Sequence, residues 1–349
     1  MTDAVTGEAE RSSGVAATGR VRLLGLVIAI AVLVVTVVVS IGVGARDIAP
    51  ATIWSAITAF DITNDEHVMI QELRVPRTVV GLIVGPALGV CGALIQSYTR
   101  NPLADPGILG VNAGATFGVA VATGLLGFTA PLAYVWFALA GAAAITIVVY
   151  VLGSLGGSGA TPVKLTMAGV ALSAVLGGMT SAIILSNRAT FDDMRFWGVG
   201  AIGGRSLDVV LHFALLILVG LVLAVYVARP LNALALGDDL GVSLGVKTGR
   251  IRVMVVVAVT LLAGTATALA GPIGFIGLMV PHAVRWFVGP DQRWIIAFTV
   301  VLSPILLLVA DIVGRIILPS GELRVGLVTG IVGAPVLILL ARRRSVSAL

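Results

Sequence analysis

From residue 22 to residue 341 the sequence breaks into ten runs of apolar residues, at about 22–45, 76–98, 108–126, 131–152, 165–187, 208–228, 251–271, 274–288, 294–314 and 324–341. A helix needs about 20 such residues to cross the hydrocarbon core of a bilayer. In lipid every backbone N–H and C=O must be satisfied within the protein, so runs of this kind fold as helices. The pattern therefore predicts an all-α membrane protein of about ten transmembrane helices. The eighth run is short and opens on GPIGFIG, which marks a partly irregular span. Composition excludes a soluble alternative: only 11% of the residues are charged, against about 25% in soluble domains.

Charge gives the orientation. Ten spans put both termini on one side. With that side cytoplasmic, the inner segments hold 14 of the 22 Lys and Arg residues, including Arg342, Arg343 and Arg344. Such an excess marks cytoplasmic loops. It also accounts for the basic balance without nucleic acid. The outer segment 46–75 is acidic, with Asp47, Asp61, Asp65, Glu66 and Glu72. Residues 1–20 are rich in Ser, Gly, Ala and Glu and read as a disordered cytoplasmic N-terminus. Residues 21–345 form the transmembrane domain, interrupted at 229–250 by the longest cytoplasmic loop. The single cysteine, Cys91, lies in an apolar run and excludes an intrachain disulfide.

That loop contains GVSLGVKT, residues 241–248, one position away from the phosphate-binding pattern G-x-x-x-x-G-K-[ST]. A working P-loop follows a buried strand and opens a helix. No strand pattern flanks this stretch, and Val246 stands where a permissive glycine is required. GVGAIG, residues 198–203, matches G-x-G-x-x-G just as emptily, in an outer loop without a βαβ unit. The loop instead reads as two short amphipathic helices, LNALALG and DLGVSLGV. Gly237 ends the first, and Asp238 or Asp239 caps the second. Apolar faces held in water suit either a partner or the membrane surface.

The remaining motifs point to packing rather than chemistry. Glycines recur at four-residue spacing, at Gly81, Gly85 and Gly89, at Gly110, Gly114 and Gly118, and at Gly326 and Gly330, which lets helix backbones approach. Pro86, Pro304 and Pro335 fall inside spans and predict kinks. His67, His212 and His282 are scattered, so no metal site is expected. The central thirds of the spans carry almost no charge, against an ion-driven carrier. Asp311 and Arg315 are spaced to pair near the outer end of the ninth span. Arg74 and Arg77, in LRVPRT, stand at the outer mouth of the second span. There they can snorkel to the interface or receive carboxylates of an external partner.

Five motifs in order resemble the FecCD-type permeases, membrane subunits of ATP-driven importers for ferric siderophores, haem and vitamin B12. They are LRVPRTVVGLIVGPALGVCGALIQSYTRNPLADPGILGVNAGA (73–115), LTMAGVALSAVLGGMTS (165–181), LNALALGDDLGVSLGV (231–246), GPIGFIGLMVPHAVRW (271–286) and ADIVGR with GELRVGLVTGIVGAPVLILL (310–340). The resemblance covers nearly everything after residue 70.

It implies a type II importer architecture in the cell membrane of a bacterium. A second permease subunit, identical or related, would stand beside this one, with the substrate pathway between them. Two cytoplasmic ATPase subunits would bind ATP and Mg, so this chain itself would carry no cofactor and hydrolyse nothing. An extracytoplasmic substrate-binding protein would deliver the cargo. By the same resemblance, Leu231, Asn232, Ala233, Leu234, Ala235, Leu236 and Gly237, with Ser243, Leu244, Gly245 and Val246, would couple to the ATPase. Arg74, Arg77 and Arg315 would accept carboxylates of the binding protein. Thr161, Pro162 and Val163 match a cytoplasmic gate that carries hydroxyl residues in the vitamin B12 permease. Only Thr161 keeps a hydroxyl here, which favours a siderophore over cobalamin. The competing readings are the same machine carrying cobalamin or haem, an ion-coupled secondary transporter, and a membrane-embedded enzyme. The last has no nucleophile–base or metal constellation to support it.

Overall fold

A computed structural model describes residues 18–44, 46–128, 130–155, 161–318 and 321–342. Ten apolar helices occupy the ten predicted runs. Seven are long: α1 (Gly19–Gly42), α4 (Val75–Thr99), α6 (Pro131–Ser154), α7 (Pro162–Ser186), α9 (Leu207–Ala235), α11 (Thr248–Ala270) and α13 (Gln292–Ile316). Three are shorter: α5 (Val111–Ala120, continued by a wider turn over Val121–Leu125), α12 (Ile276–Val288) and α14 (Val325–Arg342). The expected disorder of residues 1–20 falls mostly outside the described residues, and Gly19 and Arg20 are already helical. Arg343 and Arg344 also lie outside them.

Small residues decide which helices meet. α4 is the centre of the bundle, with 83% of its apolar stretch buried, against 11% for α7. A Cβ on Gly85 would sit 2.6 Å from the Cα of Pro304, so α4 and α13 touch backbone to backbone. Gly114 lies against the Gly141 carbonyl in the same way, joining α5 to α6. The predicted glycine seams thus act within one subunit, although Gly330 faces open space. α12 is short because residues 271–275 are not helical and Phe275 takes a left-handed φ of +70°.

Three short helices were not legible in the sequence, and a fourth was expected. α2 (Pro50–Thr58) and α3 (Asp65–Val68) fold the acidic segment into ordered structure. His67 ties them: its Nε2 lies 3.0 Å from Ser55 Oγ, and its Nδ1 accepts from the Asp61 N–H at 3.1 Å. α8 (Arg188–Trp197) lies in the loop between α7 and α9, capped by Asn187, whose side chain accepts from the Ala189 N–H at 2.9 Å. α10 (Asp238–Ser243) is the second of the two short helices expected in the 229–250 loop. The first is a correction. It is no separate helix, because α9 runs on through Pro230 to Ala235 as one element of 29 residues. Gly237, with a φ of +122°, is the residue before α10, and neither Asp238 nor Asp239 caps it with a side chain.

Candidate functional site: two faces of one bundle

The sequence-predicted residues gather at opposite ends of the bundle. At the first end, Arg74, Arg77 and Arg315 converge on one cavity of about 390 Å³, lined also by Arg46, Gly44 and Glu322. Each arginine is already engaged. Arg74 is buried and donates to three carbonyls, Ile41 at 3.0 Å, Gly42 at 2.6 Å and Arg46 at 2.5 Å. The first two are carbonyls left without helical partners where α1 ends, and the third lies four residues further on; a guanidinium is suited to satisfy them. Arg315 is also buried. It donates to the carbonyls of Ser40 and Val43, both at 2.8 Å, and its Nε lies 3.1 Å from Asp311 Oδ2.

Arg77 is the most open of the three, with 16% of its side chain exposed. It grips Asp311 through Nε and Nη2 at 2.8–3.0 Å and reaches Glu322 through Nη1 at 2.6 Å. The predicted Asp311–Arg315 pair therefore exists, but as part of a larger set: two arginines on one fully buried carboxylate, with Glu322 at the rim. The Arg77–Asp311 contact is strong because ionised partners share forked hydrogen bonds, whereas Arg315 meets Asp311 as an ion pair. All three guanidiniums are thus engaged within the chain. Glu322 was missed because its pairing joins residues 245 positions apart.

At the other end lies the 229–250 loop. Leu231 and Leu234 are buried and anchor it to the core. Asn232 holds it sideways. Its Nδ2 donates to Asp291 Oδ1 at 2.8 Å, and its Oδ1 accepts from the Gln292 N–H at 2.9 Å. Partial burial works to raise the Asp291 carboxyl, but hydrogen bonds from Arg293 and Asn232 outweigh it and hold the group below the ordinary carboxylate range. Asp238 fixes the start of α10 between two arginines, Arg100 at 2.5 Å and Arg252 at 2.7 Å. Arg100 also donates to the Leu234 carbonyl at 2.7 Å.

What the loop leaves uncovered is apolar: Leu236, Leu240, Val242 and Leu244 are each more than half exposed. Ala233 and Ala235 precede this set along the chain, Ser243 lies within it, and Gly245 and Val246 follow it. Residues 241–248 do not form a phosphate cradle. α10 ends at Ser243, Gly245 turns the chain with a φ of +85°, and Lys247 precedes α11. Among the described residues no strand precedes the stretch.

Thr161, Pro162 and Val163 begin α7. Thr161 caps it, its hydroxyl lying 3.5 Å from the Lys164 N–H. Pro162 and Val163 share a cavity of about 200 Å³ with Leu231, Leu234, Asp238 and Arg252. The structure thus brings the predicted gate against the predicted coupling loop, a contact that sequence spacing could not show. Among the described residues no cluster of His, Cys, Asp or Glu could hold a metal ion.

A helical bundle with seven long apolar helices and three shorter ones, an ordered apolar loop at one end and a charged cavity at the other has the architecture of a multi-pass membrane protein. The FecCD transport family matches residues 32–343. The chain belongs to that family, whose members are permease subunits of ABC transporters and leave ATP hydrolysis to a separate subunit. It is 42% identical over 334 residues to the ferric enterobactin transport system permease protein FepD of Escherichia coli (strain K12), covering 96% of this chain and 98% of that one. It is also 42% identical over 291 residues to the probable siderophore transport system permease protein YfiZ of Bacillus subtilis (strain 168), covering 83% and 87%. Among solved structures, an inward-facing conformation of a putative metal-chelate type ABC transporter superposes with a TM-score of 0.79 at 25% identity, over 91% of this chain and 98% of that one.

Proposed function

We propose that this permease carries ferric siderophores into a bacterial cell, with both termini and the 229–250 loop in the cytoplasm and the arginine face outside. One observation carries the substrate: 42% identity across 96% of the chain to a ferric enterobactin permease. A cobalamin permease of Halobacterium salinarum reaches 34% and a hemin permease of Yersinia pestis 32%. Those two cargoes are the second reading.

In this reading a second permease subunit completes the pathway, and two ATPase subunits bind ATP and Mg at the loop face. The exposed Leu236 and Leu244, with the chain from Leu231 to Gly237 and from Ser243 to Val246, seat on the ATPase. Nucleotide-driven closure moves this seat, and the cavity it shares with Pro162 and Val163 passes the movement to the gate at Thr161–Val163. Two alternative packings of the bundle then expose the pathway to one side or the other.

On the outside, a substrate-binding protein docks over the arginine cavity. Arg77 makes the contact, an incoming carboxylate taking the place of Glu322. Arg74 and Arg315 act from below by fixing the end of α1. Uptake of radiolabelled ferric siderophore in cells with and without the gene tests the proposal, with labelled cobalamin and haem in parallel. Loss of ferric-siderophore uptake alone is expected. Loss of cobalamin or haem uptake alone overturns the substrate.

A further inference from the structure

A second cavity, of about 470 Å³, opens beside the arginine cavity on the same face, and Gly203 and Gly204 line both. Its walls come from four parts of the chain: Thr123 after α5, Tyr134 on α6, Trp197 and Arg205 around the α8–α9 loop, and Arg324 before α14. Arg205 is held in place by the Leu269 carbonyl at 2.7 Å and by Tyr134, whose hydroxyl and ring it engages. Arg324 stands close enough to Arg205 for the two cations to repel each other. Asp193 at the wall is the one acidic lining residue, so the cavity keeps an excess positive charge. Trp197 is 91% buried, and its indole Nε1 has no hydrogen-bond partner among the described residues. Like charges held together mark a place where an anion would be stabilised.

We propose that this cavity is a receiving site for the anionic oxygens of a metal chelate. Arg205 and Arg324 supply the charge, and Trp197 forms part of the wall. The site rests on the importer reading and adds to it a preference for negatively charged chelates over uncharged ones. The concave shape suits a small molecule entering from the arginine face. None of the three residues belongs to the Arg74–Arg77–Arg315 set.

The test uses the purified permease–ATPase complex in lipid nanodiscs, without binding protein. Equilibrium dialysis with radiogallium compares the trianionic gallium tris-catecholate with an uncharged gallium tris-hydroxamate. Saturable binding of the anionic complex is expected, weaker by about tenfold or more in Arg324→Gln and Arg205→Gln. Arg205→Lys should keep most of it. Asp193→Asn should tighten it, a gain that a damaged fold cannot produce. Equal binding of the two chelates, no saturable binding, or indifference to both Arg324→Gln and Asp193→Asn overturns the site. ATP-driven uptake with the loaded binding protein is measured in parallel. Uptake without charge-selective binding removes only this site. Charge-selective binding without any uptake removes the importer reading for these chelates and leaves the site standing.

Discussion

The two ends of the bundle solve opposite problems. At the arginine face, charge is concentrated and saturated: Asp311 is fully buried between Arg77 and Arg315, and Arg74 is spent on backbone carbonyls. At the loop face, polar groups hold the frame and leucines stand uncovered. The difference shows where each end can give. A buried charge network has few arrangements and stays fixed. An apolar surface on a tethered loop can be gripped and moved as a unit, since its own shape does not depend on the partner.

Replacing Asp311 with Asn tests the fixed end most severely. It leaves two buried guanidiniums with reduced compensation, and breaking a buried pair costs about 3–5 kcal/mol. The expected result is a large fall in thermal stability in detergent; an unchanged melting temperature would mean the network contributes no rigidity. At the loop face, Leu236→Asp or Leu244→Asp should leave stability intact, because both side chains are exposed. ATP-driven uptake in proteoliposomes should fall about tenfold or more, on the scale of losing an interface anchor. Normal uptake would take the leucines out of the contact.

Arg77→Glu falls between the two in character. It should weaken capture of the loaded binding protein, and the deficit should shrink as salt rises, since screened charges contribute less. A deficit that ignores salt would assign Arg77 to structure alone. Asn232→Ala removes two hydrogen bonds from the loop's tether, a loss of about 1–2 kcal/mol. It should reduce coupling without abolishing it. Asp291 titrates below its ordinary value when folded, so its contribution to stability is complete above the unfolded pKa, about 4, and is lost only as the pH falls through the lower folded value. The variant and the parent should therefore differ equally at pH 6 and pH 8 in thermal stability.

The ten spans were legible because lipid burial leaves one solution for an apolar run of that length, and each run became a helix within a few residues of its expected ends except α9, which runs on to Ala235. The short helices α2, α3 and α8 were not, since polar segments of that length carry no period strong enough to read. The loop illustrates the boundary. Its apolar faces were visible in LNALALG and DLGVSLGV, yet the fusion of the first segment to α9 was hidden by Pro230, which local rules treat as a breaker. The three arginines were found through family motifs, while their burial was not, because the carbonyls of α1 and the carboxylates of Asp311 and Glu322 reach them from distant parts of the chain. Trp197 and Arg205 belong to none of the five motifs, Arg324 lies in the last of them, and the three meet only in three dimensions.

The continuity of α9 has a consequence for phase. A helix of 29 residues is about 43 Å long, so its far end stands beyond the hydrocarbon layer. Each residue inserted along it turns everything downstream by about 100°. One added alanine near the middle would rotate Leu234 out of the core and Asn232 away from Asp291, while four would bring the facing back to within about 40° at an axial shift of about 6 Å. The spacing of residues inside the membrane is thus a dial that sets which way the loop faces.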